Sequence, residues 1–318
     1  MPGPPAKRDL LSILDLAEEL PAVLDRALAM KRARAAGDRS RTRPEATLGL
    51  IFEKPSTRTR TSFEVAIADL GGRAIYYSAK DMQLGRGETV ADTARVLSRY
   101  LDAIAYRAFR HADETELAAH ASVPVINALD DQEHPCQIVA DLLTLKERWP
   151  KGFLGQRLTY VGDGNNVLHS LLLGCAIVGL GICAATPASY RPDPKVVREA
   201  ERIARETGGA VTLSDDPLAA ARGANALYTD VWVSMGDEAE KDERERAFNG
   251  FQINAKLLKA ADPNVWVLHD LPAHRGLEIT DEVIDGPRSV VWDQAENRLH
   301  AQKAILELLL PSGAGRRA

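Results

Sequence analysis

The sequence predicts an α/β fold of two doubly wound domains, each a parallel sheet flanked by helices, with the C-terminal helix packing back on the first domain. Two observations predict it. Short apolar runs alternate with helical stretches along almost the whole chain, which is the pattern of a parallel sheet covered on both faces. The rhythm also runs twice, on either side of a long helical stretch that ends before Pro150. The length of 318 residues agrees with two domains, taking about 150 residues for each.

The elements follow in order. A helical segment spans about Leu10 to Ala36. In the first half the strands are Thr47–Phe52, Ala74–Ser78, Ala103–Phe109 and Val123–Ala128. Helices fall between them at about Arg58–Leu70, Val90–Leu101 and Glu114–His120. The stretch His134–Trp149 reads as a long helix. Beyond it the strands are Arg157–Gly162, Gly181–Thr186, Ala210–Leu213, Ala226–Thr229 and Val265–His269. Their helices are at about Asn166–Gly179, Lys195–Thr207, Pro217–Arg222, Lys241–Phe248 and Asn254–Ala260. The last helix is Gln294–Leu310, and the polar tail after it reads as frayed. The expected domains are therefore 1–149 with the C-terminal helix 294–318, and 150–293.

Composition narrows the function. Hydrophobic residues make up 45% and charged residues 27%, so the chain is globular and not disordered. The formal net charge of −5 argues against a general nucleic-acid binder. Cys136, Cys175 and Cys183 form no CxxC pair, which gives neither a disulfide framework nor a zinc site and fits a reducing, cytoplasmic setting. The Pro-rich start has no apolar signal core. The longest apolar stretch, Leu171 to Ala185, is interrupted by three glycines. It falls short of the roughly 20 residues that span a bilayer.

In open parallel sheets, ligands bind outside the carboxyl ends of the strands. After the strand ending at Phe52 comes Ser56-Thr57-Arg58-Thr59-Arg60 at a helix start. Ser56 is a natural N-cap. The helix start offers unpaired N–H groups and the positive end of its dipole. Hydroxyls fix the oxygens of a phosphate, and arginine adds forked, charged donors. The alternative is an ordinary capped helix with solvated arginines, but the density of donors at a strand end favours an anion. Arg107 also ends an apolar run, and His134-Pro135 opens a helix with Pro135 in its favoured first position. Gly162-Asp163-Gly164 is a strand-to-helix turn, but it lacks GxGxxG and the acidic residue expected about 20 residues on. A nucleotide-binding dehydrogenase therefore rests on fold alone, which does not give function.

Seven runs carry a family resemblance in a fixed order. They are Phe52–Arg60 (FEKPSTRTR), Gln83–Glu88 (QLGRGE), Tyr106-Arg107, His134–Gln137 (HPCQ), Gly162–Val167 (GDGNNV), Asp230–Gly236 (DVWVSMG) and His269–Gly276 (HDLPAHRG). Together they resemble the aspartate/ornithine carbamoyltransferase family over nearly the whole chain, and the Ser-Met-Gly loop looks like its ornithine branch. The resemblance implies that Ser56, Thr57, Arg58 and Thr59 bind carbamoyl phosphate. Arg107 and His134 would point at the carbonyl oxygen, and Gln137 would accept the carbamoyl amino group. Gln83, Pro135, Cys136, Asp270, Leu271 and Arg298 complete the implied carbamoyl-phosphate set. The amino-acid end of ornithine would fall to Asn166, Asp230, Ser234 and the Met235 backbone. Asp230 can pair with an α-ammonium; its bland alternative is a turn aspartate. The implied product is citrulline, made with no metal or organic cofactor. The resemblance further implies a trimeric unit with shared active sites, in which Gln83 serves a neighbouring subunit.

One position departs from the pattern. The family usually carries His-Cys-Leu-Pro where this chain has His269-Asp270-Leu271-Pro272. A carboxylate there would favour the protonated, non-nucleophilic amine by charge. Taking up the proton of that amine, it would instead serve as a base. Both readings stand at the level of sequence, beside a third in which the change has little consequence. They leave room for a relative acting on another amine, such as putrescine or an N-acylated ornithine, or for a weakly active or non-catalytic homologue.

Overall fold

The computed structural model describes residues 7–39, 41–84, 87–234 and 238–310. The chain divides into two compact units, Met1–Leu143 with Asn297–Ala318 and Thr144–Glu296.

The sheet of the first unit contains β1 (Thr47–Phe52), β2 (Arg73–Ser78), β3 (Ala103–Arg107) and β4 (Val125–Leu129). All pairs are parallel, in the order β2-β1-β3-β4. The central strands β1 and β3 are apolar and buried along their length, as a sheet covered on both faces requires. The edge strand β2 has only exposed and half-buried residues. Helices α1 (Leu20–Ala35), α2 (Thr57–Asp69), α3 (Val90–Leu97), α4 (His111–His120) and α5 (Pro135–Arg148) complete the unit's connections. The strand order reverses direction between β1 and β3. That is the switch point at which doubly wound sheets bind ligands.

In the second unit, β5 (Arg157–Val161), β6 (Gly181–Ala185), β7 (Val211–Ser214), β8 (Ala226–Thr229) and β9 (Trp266–His269) are again all parallel. Their order is β7-β6-β5-β8-β9, so the switch point lies between β5 and β8. The helices are α6 (Asn166–Ile177), α7 (Pro194–Thr207), α8 (Pro217–Ala221), α9 (Lys241–Ala247), α10 (Ala255–Ala260) and α11 (Asp281–Ile284). A core of Leu227, Phe248, Ile253, Val267, Ile279 and their neighbours fills one side of the sheet.

The last helix, α12 (Val291–Leu309), returns to the first unit. Lys31 donates to Asn297 at 2.9 Å, and Arg26 forks onto Glu307 at 2.5 and 2.7 Å. Thr42 adds a 2.7 Å hydrogen bond to Glu307, and Arg43 donates to the Leu310 carbonyl at 2.9 Å.

Expected strands and helices are found with boundaries moved by a few residues, and two differences have physical causes. The helix expected over Leu10–Ala36 is broken. Leu10 exchanges hydrogen bonds with Val125 and Asn127 at the edge of β4. Ser12 then caps a single 3₁₀ turn, Ile13–Leu16, reciprocally with Asp15. The α-helix restarts at Leu20, with Pro21 in its first turn. The short α11 was not anticipated; four residues carry too little periodicity to be read. Among the described residues no helix is long and apolar enough to cross a membrane. The Pro-rich start (1–6) and the tail (311–318) lie outside the described residues.

Candidate active site

In the first unit the carboxyl ends of β1 and β3 are in register, Phe52 beside Arg107. Arg107 in turn pairs with Leu129 across an irregularity in the β3–β4 ladder. This places the N-termini of α2 and α5 at the switch point. Ser56 caps α2 by accepting the Thr59 N–H at 3.3 Å, and its hydroxyl donates to Thr59 Oγ1 at 3.0 Å. Arg298 reaches over from α12 and donates to the same Thr59 oxygen at 2.5 Å. Thr59, Arg107, His134, Gln137 and Arg298 are all buried. Arg60, in contrast, is exposed: it bonds Glu64 at 2.8 Å and lies 3.7 Å over the Tyr76 ring. Of the two guanidiniums in this turn, that of Arg60 is therefore engaged on the exposed face of the helix.

Three features fix the chemistry of the cluster. Burial pushes the His134 pKa well below its ordinary value, and the Arg298 and Arg107 charges push it further, so the imidazole is neutral. Gln137 donates its amide nitrogen to Asp141 at 2.8 Å. That hydrogen bond fixes the orientation of the side chain and leaves the buried Oε1, which has no partner, to accept an N–H. The Cys136 thiol is buried, pushed up to about 12 by burial, and directed at the Asn127 carbonyl at 3.4 Å. It is neither a nucleophile nor a ligand, so Cys136 can contribute only its backbone. Glu53 braces the floor, accepting from Tyr106 Oη at 2.9 Å and from the Phe109 N–H at 2.5 Å.

In the second unit, Asn165 caps α6 with its Oδ1 and donates its Nδ2 to Asp230 at 2.8 Å. These two residues follow β5 and β8 and so flank the switch point. Asp230 is buried and also accepts the Val231 N–H at 2.6 Å. Burial first, and the neighbouring Asp270 second, raise its pKa well above the ordinary carboxylate value. Asp270 has a buried Oδ1 that accepts no hydrogen bond and faces the His269 ring. His269 stands behind the pair, with Nε2 3.1 Å from Glu278 and Nδ1 3.4 Å from Asp270. Burial lowers the His269 pKa, but Asp270 and Glu278 outweigh it and carry it to about 9. The neutral ring accepts the Leu271 N–H on Nδ1 at 2.9 Å; the charged ring must turn that nitrogen to Asp270. Asp230, His269 and Asp270 offer ligand atoms within 4.8 Å of one another, a set that could hold a cation. Leu271 adopts φ 64°, which a branched residue tolerates only where its surroundings hold it.

The site residues expected from sequence fall into clear groups. Ser56, Thr57, Arg58, Thr59, Arg107, His134, Pro135, Gln137 and Arg298 sit on converging elements of the first unit. Asn166 opens α6, and Asp230, Asp270, Leu271 and Ser234 lie on loops, all beyond the carboxyl ends of strands of the second sheet. Gln83 is exposed and makes no hydrogen bond among the described residues. Met235 lies outside the described residues. Sequence reasoning missed Asn165, which is the amide that reaches Asp230. It also missed Asp141, Glu278 and the Asp163–Arg244 pair. Arg244 bonds Asp163 at 2.8 Å and the Trp232 carbonyl at 3.2 Å, pinning the loop that carries Ser234. Asn165 was legible as an N-cap before an apolar helix. Asp141 lies one helical turn beyond Gln137 and Glu278 nine residues beyond His269, whereas the Asp163–Arg244 pair spans 81 residues, a separation that no local pattern signals.

These features define an α/β protein with hydroxyl and guanidinium donors at one switch point and buried carboxylates at another. Residues 8–147 match the aspartate/ornithine carbamoyltransferase carbamoyl-P binding domain, and residues 154–309 match the Asp/Orn binding domain of the same enzymes. The chain belongs to the aspartate/ornithine carbamoyltransferase family. It is 54% identical over 307 residues to the anabolic ornithine carbamoyltransferase of Pyrococcus furiosus, covering 96% of this chain and 97% of that one. It is 52% identical over 306 residues to the catabolic ornithine carbamoyltransferase of Thermoplasma acidophilum, covering 96% and 99%. The solved ornithine carbamoyltransferase from Pyrococcus furiosus superposes with a TM-score of 0.93 at 52% identity, covering 98% of this chain and 99% of that one.

Proposed function

We propose that this chain is an ornithine carbamoyltransferase, moving the carbamoyl group of carbamoyl phosphate to the δ-amine of L-ornithine to give L-citrulline and phosphate. The observation that carries the reading is the donor set at the β1/β3 switch point, in a chain more than half identical to proteins named for this activity. Ser56, Thr57, Thr59 and the first N–H groups of α2 hold the phosphate, with Arg58 and Arg298 supplying positive charge. Arg107 and His134 donate to the carbonyl oxygen. A neutral His134 suits that role, because it offers a hydrogen bond without adding a third charge beside two guanidiniums. Gln137 Oε1 accepts the carbamoyl N–H.

Asp230, Asn166, Ser234 and Met235 hold the α-ammonium and carboxylate of ornithine. The neutral δ-nitrogen then attacks the carbonyl carbon. The oxyanion is stabilised by donors already in place. The bond from that carbon to the phosphate oxygen breaks, phosphate leaves with the electron pair, and the proton lost by the nitrogen passes to the departing phosphate. Asp270 and Leu271 line the amine end of this path. A homotrimer with Gln83 serving the neighbouring subunit, a cytoplasmic location and a role in arginine metabolism belong to the same proposal.

The test is a steady-state comparison of ornithine, putrescine, acetylornithine and aspartate, with citrulline or its analogue measured by colour. Carbamoylation of ornithine at a kcat/KM well above the others supports the reading. Preference for another amine, or no product from any, overturns it. Light scattering on the same preparation decides the trimer.

A further inference from the structure

A second group of side chains lies in the first unit, apart from the phosphate donors. His111 opens α4, Glu114 lies one turn further along the same helix, and Asp130 follows β4. Each offers one ligand atom, and these atoms lie within 4.8 Å of one another. Glu114 and Asp130 are fully buried. Asp130 is held rigidly: its Oδ1 accepts the Gln132 and Glu133 N–H groups at 2.7 Å each, and its Oδ2 accepts from Asn127 Nδ2 at 3.0 Å. His111 Nδ1 lies 2.5 Å from Asp130 Oδ2.

Glu114 is the unexplained member. Neither of its carboxylate oxygens has a hydrogen-bond partner, and both are sealed from solvent. The Asp130 carboxyl and the His111 ring are among the groups close to them. Burial, and then Asp130, Glu133 and Asp9, disfavour its charged form. Two facing carboxylates need something positive between them. A shared proton satisfies one oxygen of Glu114 and leaves the other bare, at a cost of about 1–3 kcal/mol. A cation satisfies both oxygens together and also takes the imidazole nitrogen.

We propose that His111, Glu114 and Asp130 form a binding site for a divalent cation, with one imidazole and two carboxylates as ligands. That donor set suits an ion that accepts both nitrogen and oxygen, Zn²⁺ or Mn²⁺, over Mg²⁺ or Ca²⁺, which take oxygen ligands. Entry of the ion displaces the proton between His111 and Asp130. The two atoms then part to about 3.3 Å, the edge of a tetrahedron with bonds of 2.0–2.1 Å. The His111 side chain is 38% exposed, so it has room to move and leaves a path for the ion. The site stabilises the loop from Asp130 to Glu133 and so the start of α5. It takes no part in carbamoyl transfer and does not depend on that assignment.

The experiment is calorimetric titration of the metal-stripped protein with Zn²⁺ and with Mn²⁺, without substrates. Co²⁺ replacement adds a visible spectrum that reports nitrogen and oxygen ligation. The expected result is binding of one ion per chain with proton release. Glu114→Gln keeps the side-chain shape and should weaken binding about tenfold or more. His111→Asn should do the same and serves if the first variant fails to fold. Asp270→Asn, which disrupts the acidic group of the second unit, should leave this binding in place. Absence of binding by the parent protein overturns the proposal. So does binding that survives Glu114→Gln and His111→Asn, or that is lost in Asp270→Asn alone.

Discussion

At the scale of single residues, charge is set by what surrounds a group more than by its own chemistry. His134 is the clearest case. Its folded pKa lies below the unfolded value, so only the unfolded chain takes up this proton as pH falls through the ordinary histidine range. Stability is then lost with falling pH below about 6.5, at up to about 1.4 kcal/mol per pH unit. Denaturant unfolding of the parent and of His134→Asn between pH 5 and 7 should show a shallower slope in the variant; parallel slopes would refute a neutral buried imidazole. Asp230 gives the opposite sign. Burial and Asp270 hold its pKa up, so the ionised form that would pair with an α-ammonium is suppressed at low pH. Asp270→Asn removes the like charge, and the acid limb of kcat/KM for ornithine should move to lower pH. Asp270→Cys should do the same, retain transfer to ornithine and raise the rate at the pH optimum; an inactive variant from an active parent would contradict it. The residue types at both sites were legible in the sequence, because hydroxyls and arginines at a strand end already imply an anion. Their protonation was not. It depends on Arg298 and Asp270, which stand 164 and 40 residues from the groups they act on by the numbering.

At the scale of elements, strand-to-helix turns do the positioning. The N-cap of α6 has two tasks in one side chain: Asn165 Oδ1 accepts from Val167 and Leu168, and its Nδ2 holds Asp230. The tasks can be separated. Asn165→Ser keeps a capping oxygen and loses the Asp230 contact, so it should retain stability while raising KM for ornithine. Asn165→Ala loses both and should cost a further ~1 kcal/mol in unfolding free energy. Equal stability for the two variants would show that the cap contributes nothing. The same turn explains Gly164. A Cβ there would lie 2.4 Å from backbone atoms of Arg191 and Pro192, so Gly164→Ala forces a backbone shift costing about 1–3 kcal/mol, measurable as a lower denaturation midpoint. Most strands and helices could be read from their apolar rhythm because that rhythm is local. The break in the helix expected over Leu10–Ala36 could not. Leu10 satisfies helical periodicity equally well, and only the distant edge of β4 decides that it pairs there.

At the scale of the whole molecule, a chain of net charge −5 must hold a doubly charged anion, which long-range repulsion disfavours. The local field has to overcome that, and the structure gathers Arg107 and Arg298 in the interior of one unit while placing the buried acids Asp230, Glu278 and the half-buried Asp270 in the other. Buried guanidiniums near one another are costly in the free protein, and a bound phosphate removes the cost. Ligand binding should therefore appear as stability. With carbamoyl phosphate at about 100 times its dissociation constant, unfolding free energy should rise by about 2.7 kcal/mol. Urea denaturation at 25 °C is the suitable measurement, since the ligand decomposes on heating. Arg58→Ala should unfold like the parent without ligand, because its side chain is only half-buried, and should lose most of the ligand-dependent gain. Asp230→Asn, in the other unit, should keep the gain from carbamoyl phosphate and lose any gain from ornithine added with it. A gain that survives Arg58→Ala unchanged would mean that the phosphate is held elsewhere, and the assignment of the α2 N-terminus would fall with it.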